Sequence, residues 1–354
     1  MRSPLMIAKA TLVALLAATA TTAAAPQAHA RVVVDQLGRE VTVPDEVNRV
    51  VVLQHQALDI IVELNGQDKL VGVVRDWPKL LGGSIGDYAP IIKTLPQPGD
   101  LKTANVEEVL ALKPDVVFMT HYAPAATVES LEKAGIPVVE LSFFTAPASE
   151  SAKLNPSLDD ENTAYTDGLV QAVSLIGAVI GREGEANALN DYVLASRKIV
   201  ADRLKDLDPA ERVRLYMANP DLHTYGRGKY TGVFMEASGG ANVAADIKGY
   251  AKVTMEQVLA WNPQAIVVQS RYEPLVAEIK SDPAWAPIQA VRDDRIYLTP
   301  EYVKPWGHPL PESMALGELW MARKLYPDRF ADVDFDARVQ DFYAKFYRTS
   351  YTGR

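Results

Sequence analysis

The sequence predicts an α/β protein of two lobes joined by one long helix, with a ligand cleft between the lobes. Three observations carry that prediction. Short apolar runs suited to buried strands alternate with helical stretches. A helix–proline–strand phrase is written twice, as VEEVLALKPDVVFMTHY from Val106 and as MEQVLAWNPQAIVVQSR from Met255, 149 residues on. The two copies share Glu, Val, Leu, Ala and Pro at the same five positions, which points to a duplicated lobe. Between them, from about Gly184 to Leu207, lies a proline-free helical stretch. Its 24 residues would span roughly 35 Å, enough to cross from one lobe to the other.

The chain opens MRSPLMIAKATLVALLAATATTAAAPQAHA. Arg2 and Lys9 give a positive start, a small apolar run follows, and AHA at Ala28–Ala30 fits a signal-peptidase site. The run is broken by threonines and ends near Pro26, too short for a membrane span. A cleaved signal peptide at 1–30 is expected, with an uncleaved anchor as the alternative. The chain has no cysteine. Disulfides, thiolate metal sites and a lipid-modified N-terminal cysteine are thereby excluded. An exported, untethered protein is expected in the periplasm.

From residue 31, RVVVDQLGREVTV reads as a hairpin turning at an LG pair, and RVVVLQ as a buried parallel strand. HQALDIIVELNG is a helix closed by Gly66; KLVGVV and PVVELSF are strands. In the duplicated phrases, Asn105 with Glu108 and Thr254 with Gln257 have helix-capping spacing. Pro114 and Pro263 stop each helix before DVVFMT and AIVVQS. APASESAKLNPSLDDENT is read as a mobile loop. The last lobe opens with RVRLYMA and ends in amphipathic helices. These elements divide the chain into an N-terminal lobe at 31–182, an interlobe helix at 183–207 and a C-terminal lobe with closing helices at 208–354.

Beyond the signal, 34 basic side chains face 45 acidic ones, a net −11. That balance argues against nucleic acid and anionic membrane surfaces as partners. A local basic pocket for an anion remains open to it.

In open parallel sheets, ligands bind beyond the carboxyl ends of the strands. The four histidines after the signal, His55, His121, His223 and His308, all fall in such loops. Imidazoles suit transition metals or anionic groups. No HxxxH or HxH pair is present, so a preformed zinc site has little support, and the four remain metal candidates only as a set. The same loops carry Tyr122, Tyr225, Tyr230, Tyr272 and Trp306, with Arg227 and Arg271 as forked donors for carboxylate, catecholate or hydroxamate oxygens. Trp77 completes the set of expected ligand-binding residues. The ordinary alternative for each aromatic is core packing with its polar atom satisfied. GRGKYTG lacks phosphate-loop spacing, and no GxSxG elbow occurs.

Several stretches resemble one family: DQLGREVTVPDEVNRVVVL, VEEVLALKPDVVF, FMEASGGANVA, MEQVLAWNPQAIVV, DPAWAPIQAVRDDRIYL and WMARKLYP. They are similar, in order and over nearly the whole chain after the signal, to periplasmic substrate-binding proteins of the iron–siderophore, cobalamin and haem class of ABC importers. The resemblance implies two Rossmann-like lobes, a monomer without a resident cofactor, and no catalysis. It also implies that Glu107 and Glu256 dock into the membrane permease, although acids at a helix N-terminus also favour the macrodipole. The expected cargo is a ferric siderophore. The alternative is another metal complex or an oxyanion: molybdate or tungstate, a nickel chelate, haem or cobalamin. An exported metal-dependent hydrolase and a structural adhesin are the competing classes. The lack of a spaced ligand motif tells against the hydrolase, and an adhesin explains neither the lobes nor the loop composition.

Overall fold

The computed structural model describes residues 30–304 and 307–352, so all but Ala30 of the signal peptide expected at 1–30, and Trp306, lie outside the described residues. The strands β1 (Ala30–Val34) and β2 (Glu40–Pro44) form an antiparallel hairpin that turns through Gly38 at φ 79°. The first lobe is built on β3 (Val50–Val52), β4 (Leu70–Val73), β5 (Val116–Thr120) and β6 (Val138–Leu141). All four are parallel, in the order β4-β3-β5-β6. Every residue of β3, β5 and β6 is buried, which is why their sequences run apolar without alternation.

The second lobe repeats the plan with β7 (Val213–Ala218), β9 (Gly240–Asn242), β11 (Ala265–Val268) and β12 (Ile296–Leu298). These are parallel in the order β12-β11-β7-β9. A short antiparallel pair, β8 (His223–Tyr225) with β10 (Tyr250–Lys252), stands beyond the end of β7.

The duplicated phrase delivers an interior strand to each sheet. Asn105 caps the helix Val106–Ala111 by accepting from the Glu108 amide, and β5 follows Pro114. Thr254 and Gln257 form a reciprocal capping box on the helix Met255–Trp261. Asn262 closes that helix at φ 40° before Pro263 and β11.

Between the sheets lie two long helices, Glu161–Ile180 and Glu183–Leu204, joined through Gly181 at φ 67°. The second has 22 residues, about 33 Å at the helical rise. Gly168 lets the first approach the Phe143–Phe144 backbone; a Cβ there would stand 2.2 Å from the Phe144 Cα. This close approach seats the helix against the loop after β6.

The closing segments cross to the first lobe. The helix α1 (His55–Glu63) starts at the end of β3 and carries Asp59 in its middle. Lys304, from the loop after β12, places its ammonium 2.7 Å from Asp59 Oδ2 and on Glu312 Oε1. The Tyr347 hydroxyl donates to Asp59 Oδ1 at 2.7 Å, and Arg348 donates to the carbonyls of Val62 and Glu63. Glu63 lies nearby with both carboxyl oxygens buried and without hydrogen-bond partners among the described residues. Burial, then Glu312 and Asp59, pushes its pKa well up. Burial likewise pushes Glu312 up to about 7.

Replacing Lys304 with Met leaves buried carboxylates without their cation and should cost about 3–5 kcal/mol in urea unfolding at neutral pH. An unchanged unfolding midpoint would contradict this role. A carboxyl whose folded pKa is raised costs stability as pH climbs above its unfolded value. Glu63→Gln should therefore raise Tm, with the gain growing from pH 5 to pH 8; a gain independent of pH would rule this origin out.

Candidate functional site

Five chain segments of the two lobes meet at one buried polar cluster. His55 opens α1, and Gln54 holds its N-cap with no side-chain hydrogen bond to the first turn. His121 follows β5 directly. The loop Ser142–Phe144 follows β6. From the second lobe come Lys229, at the N-cap of the helix Tyr230–Ala237, and His308, four residues after the lobe-bridging Lys304. All of these side chains are buried.

Rings define the packing. His121 and His308 meet edge-on, with centroids 5.4 Å apart. Phe144 stacks on His308 at 6.2 Å and meets His121 edge-on at 5.1 Å. Tyr122 stands edge-on to His121 at 4.8 Å. His308 Nδ1 is buried without a hydrogen-bond partner among the described residues. His121 faces a carbonyl with each ring nitrogen: Leu141 from Nδ1 at 3.3 Å and Lys153 from Nε2 at 3.1 Å. A neutral imidazole can donate to only one of them.

The electrostatics are cationic and dry. Burial lowers the His121 pKa to about 4, against the upward pull of its two carbonyls, with the Lys229 charge lowering it further. His308 is held well below its usual value by burial, then by Lys229, His121 and His55. His55 is lowered to about 3 by burial and by Arg271, with Asp59 opposing. Burial alone lowers Lys229 to about 8. At neutral pH the cluster is therefore one buried ammonium among neutral imidazoles. Such a set offers hydrogen-bond donors to an anion, which would supply the charge partner that a buried cation lacks. Among the described residues, no group of three or more His, Asp or Glu is placed to hold a metal ion.

The mouth of the interlobe cleft is a cavity of about 560 Å³. Its walls are residues 78–83 of the first lobe and 270–273 and 298–301 of the second, with Lys304 among them. Arg271 stands here, 4.9 Å over the Tyr272 ring, and both Arg271 and Lys304 act on His55. The cleft is bridged where Ser84 donates to Glu301 from its hydroxyl and, at 3.2 Å, from its amide. Gly82 stands there at φ 92°, a left-handed conformation that favours glycine, beside the Glu301 side chain.

The structure thus brings His55, His121, His308 and Tyr122 together, with Arg271 and Tyr272 at the mouth. The other expected residues stand elsewhere. His223 lies in the β8–β10 pair, with Nδ1 3.1 Å from the Pro220 carbonyl and its ring stacked on Tyr250 at 5.1 Å. Tyr225 is buried, with side-chain hydrogen bonds at Gln269 and Arg271. Tyr230 is fully buried and its hydroxyl donates to Glu318 at 3.0 Å, inside an ion pair of Glu318 with Arg197. Arg227 is exposed on the rim beside Glu161 and Lys248. Trp77 is buried over Gly86. Glu107 and Glu256 are exposed in the first turns of the two duplicated helices. Lys229 escaped sequence reasoning. Its signal was a lysine at a helix N-terminus, where the macrodipole disfavours a cation.

Comparison with known proteins gives the relationship. The family described as periplasmic binding protein matches residues 50–303. The molybdate-binding protein MolA of Haemophilus influenzae is 51% identical over 322 residues, which cover 91% of this chain and 92% of that protein. Its solved structure with bound molybdate superposes with a TM-score of 0.89, covering 92% of this chain and 100% of the other. An uncharacterized substrate-binding lipoprotein of a Bacillus subtilis ABC transporter, YvrC, is 26% identical, covering 84% of this chain and 86% of its own. A periplasmic solute-binding protein of Veillonella parvula shares the fold at 23% identity, with a TM-score of 0.75 over 92% of this chain and 94% of that chain.

The relationship to MolA corrects the expected cargo: a ferric siderophore, and iron transport with it, is not supported. The geometry gives the physical reason. Tyr225 and Tyr230, counted as ligand walls, are buried with their hydroxyls engaged within the second lobe. The chain belongs to the periplasmic binding protein family, in the class that takes in binders of siderophores, vitamin B12 and haem.

Proposed function

We propose that this protein is the solute receptor of an ABC importer and captures a tetrahedral oxyanion of the molybdate type, without catalysing a reaction. The observation that carries the reading is the buried Lys229 ammonium beside the His121–His308 pair, where the charges acting on both imidazoles are cationic or imidazole. A compact dianion matches a compact set of donors. The 51% identity to a molybdate-binding protein supports the same cargo class.

The chain's own groups divide the work. Lys229 supplies the charge, His121 and His308 supply directional N–H donors, and Phe144 with Tyr165 keeps water out. Arg271 at the mouth draws the anion inward. Export to the periplasm follows removal of residues 1–30, and the receptor acts as a monomer. Glu107 and Glu256, exposed on matching helices of the two lobes, are the contacts offered to the permease.

Calorimetric titration with sodium molybdate should show one site, and Lys229→Met should weaken it roughly 10- to 150-fold, the loss expected for a charged hydrogen bond. Saturable binding of a ferric chelate with no response to molybdate or tungstate would sink the reading. Lys229 loses its proton as pH rises through about 8, so affinity should hold from pH 6 to 7 and fall above pH 8. An affinity that climbs in that range would contradict the assignment of charge. Glu107→Arg with Glu256→Arg should leave molybdate binding unchanged while abolishing permease-dependent uptake in reconstituted vesicles. Normal uptake by the double variant would remove the docking role.

A further inference from the structure

The donors of the site are already engaged by a loop of the protein itself. Residues 152–158 run from the helical turn Ala148–Ser151 to the start of the helix Glu161–Ile180, over the place where His121 and Lys229 meet. The Lys153 carbonyl lies 3.1 Å from His121 Nε2, and the Leu154 carbonyl accepts from the Lys229 ammonium. Two consecutive carbonyl oxygens of one lobe thus sit on one donor from each lobe.

The loop is pinned to the second lobe by close approach and polar contact. Pro156 places its carbonyl against Gly228, where a Cβ would stand 2.8 Å from the oxygen. Asn155 packs against Gly249, where a Cβ would stand 2.7 Å from its side chain. Ser157 Oγ accepts from Lys248 Nζ at 3.1 Å, and Glu161 accepts from the Gly228 amide at 2.8 Å. Glu150 closes the loop on itself, holding Lys153 Nζ at 2.6 Å and the Ser157 amide at 2.8 Å. Apolar burial is limited to Pro156, which is buried, and Leu158, which is partly buried against the core; Ala152, Lys153, Leu154 and Ser157 are exposed, Leu154 at 46%. A segment held by polar contacts with few buried apolar groups opens at low free energy.

Resting on the oxyanion reading above, we propose that residues 152–158 form a latch whose carbonyls compete with the anion for His121 and Lys229. A neutral His121 has one N–H, and with its proton on Nε2 it cannot serve both the Lys153 carbonyl and an anion oxygen at full strength. A carbonyl left beside a buried anion is repelled by it. Loading therefore displaces the latch, and the measured affinity is the intrinsic one multiplied by the fraction of molecules in which the latch is open. Gly228 and Gly249 have positive φ, at 78° and 73°, which by itself favours glycine, and their lack of a Cβ also leaves room for the loop.

Amide hydrogen exchange on the full chain tests this with sodium molybdate as the probe. Exchange at residues 153–157 should rise at saturation, while the segments around His55, His121 and His308 slow. Slowed exchange at 153–157 would make the segment a lid that closes over cargo and would overturn the proposal. Glu150→Gln and Ser157→Ala each remove one latch contact at the surface, and both should fold with unchanged circular dichroism. Each should bind molybdate about 2- to 10-fold more tightly, the range expected for one net hydrogen bond. Weaker or unchanged binding in both would also overturn it. If wild-type protein binds no molybdate at all, the oxyanion reading fails and the latch falls with it. If it binds and the latch segment does not loosen, only the latch is lost.

Discussion

The buried ammonium of Lys304 holds the two lobes in register, and the site depends on that register. It sits between Asp59 of the first lobe and Glu312 of the second, with Tyr347 on the other oxygen of Asp59. Asp59 is one helical turn from His55, and Lys304 is four residues from His308. One ion cluster thereby fixes where both imidazoles stand. Such buried pairs add little net stability because desolvation offsets the attraction. Their effect here is positional. A slip of the closing segments along α1 would strand charge, so the lobes have one favoured registration.

On that frame the protein separates long-range charge from local charge. The chain is acidic overall, yet its buried centre presents an ammonium and neutral imidazoles. Desolvation does the sorting. It strips protons from the imidazoles and leaves them as directional donors, while the lysine keeps most of its charge at neutral pH. An oxyanion entering such a place exchanges water for fixed donors. The surface acids, Glu107 and Glu256 among them, stay outside this field at the ends of helices whose dipoles favour them.

The fold was legible because its signals are local. Caps at Asn105 and Thr254, breakers at Pro114 and Pro263, and unbroken apolar strands each act within a few residues. The site was legible only in part. Strand-end position picked out His55, His121 and His308, which the structure gathers in one buried cluster, since each parallel sheet puts its strand-end loops on one edge. The same rule gathered in His223, which follows β7 but turns into the β8–β10 pair and stacks on Tyr250. Burial decided the aromatics, and sequence cannot show which tyrosine of a loop turns inward: Tyr230 bonds Glu318 in the core, whereas Tyr272 lies under Arg271 at the mouth. The cargo was misjudged for a related reason. Loop arginines and tyrosines suggested a wall for a bulky chelate, while the lysine that charges the centre lay unremarked in GRGKYTG.

The proposed oxyanion would sit between the lobes, at Lys229, His121 and His308. Crystals of the full chain grown with sodium molybdate, measured at the molybdenum absorption edge, test it most directly. One anomalous peak is expected within hydrogen-bonding reach, through its oxygens, of the Lys229 ammonium and the two imidazoles. A peak in the outer cleft beside Arg271 and Ser270, with the His121–Lys153 and Lys229–Leu154 contacts intact, would contradict it.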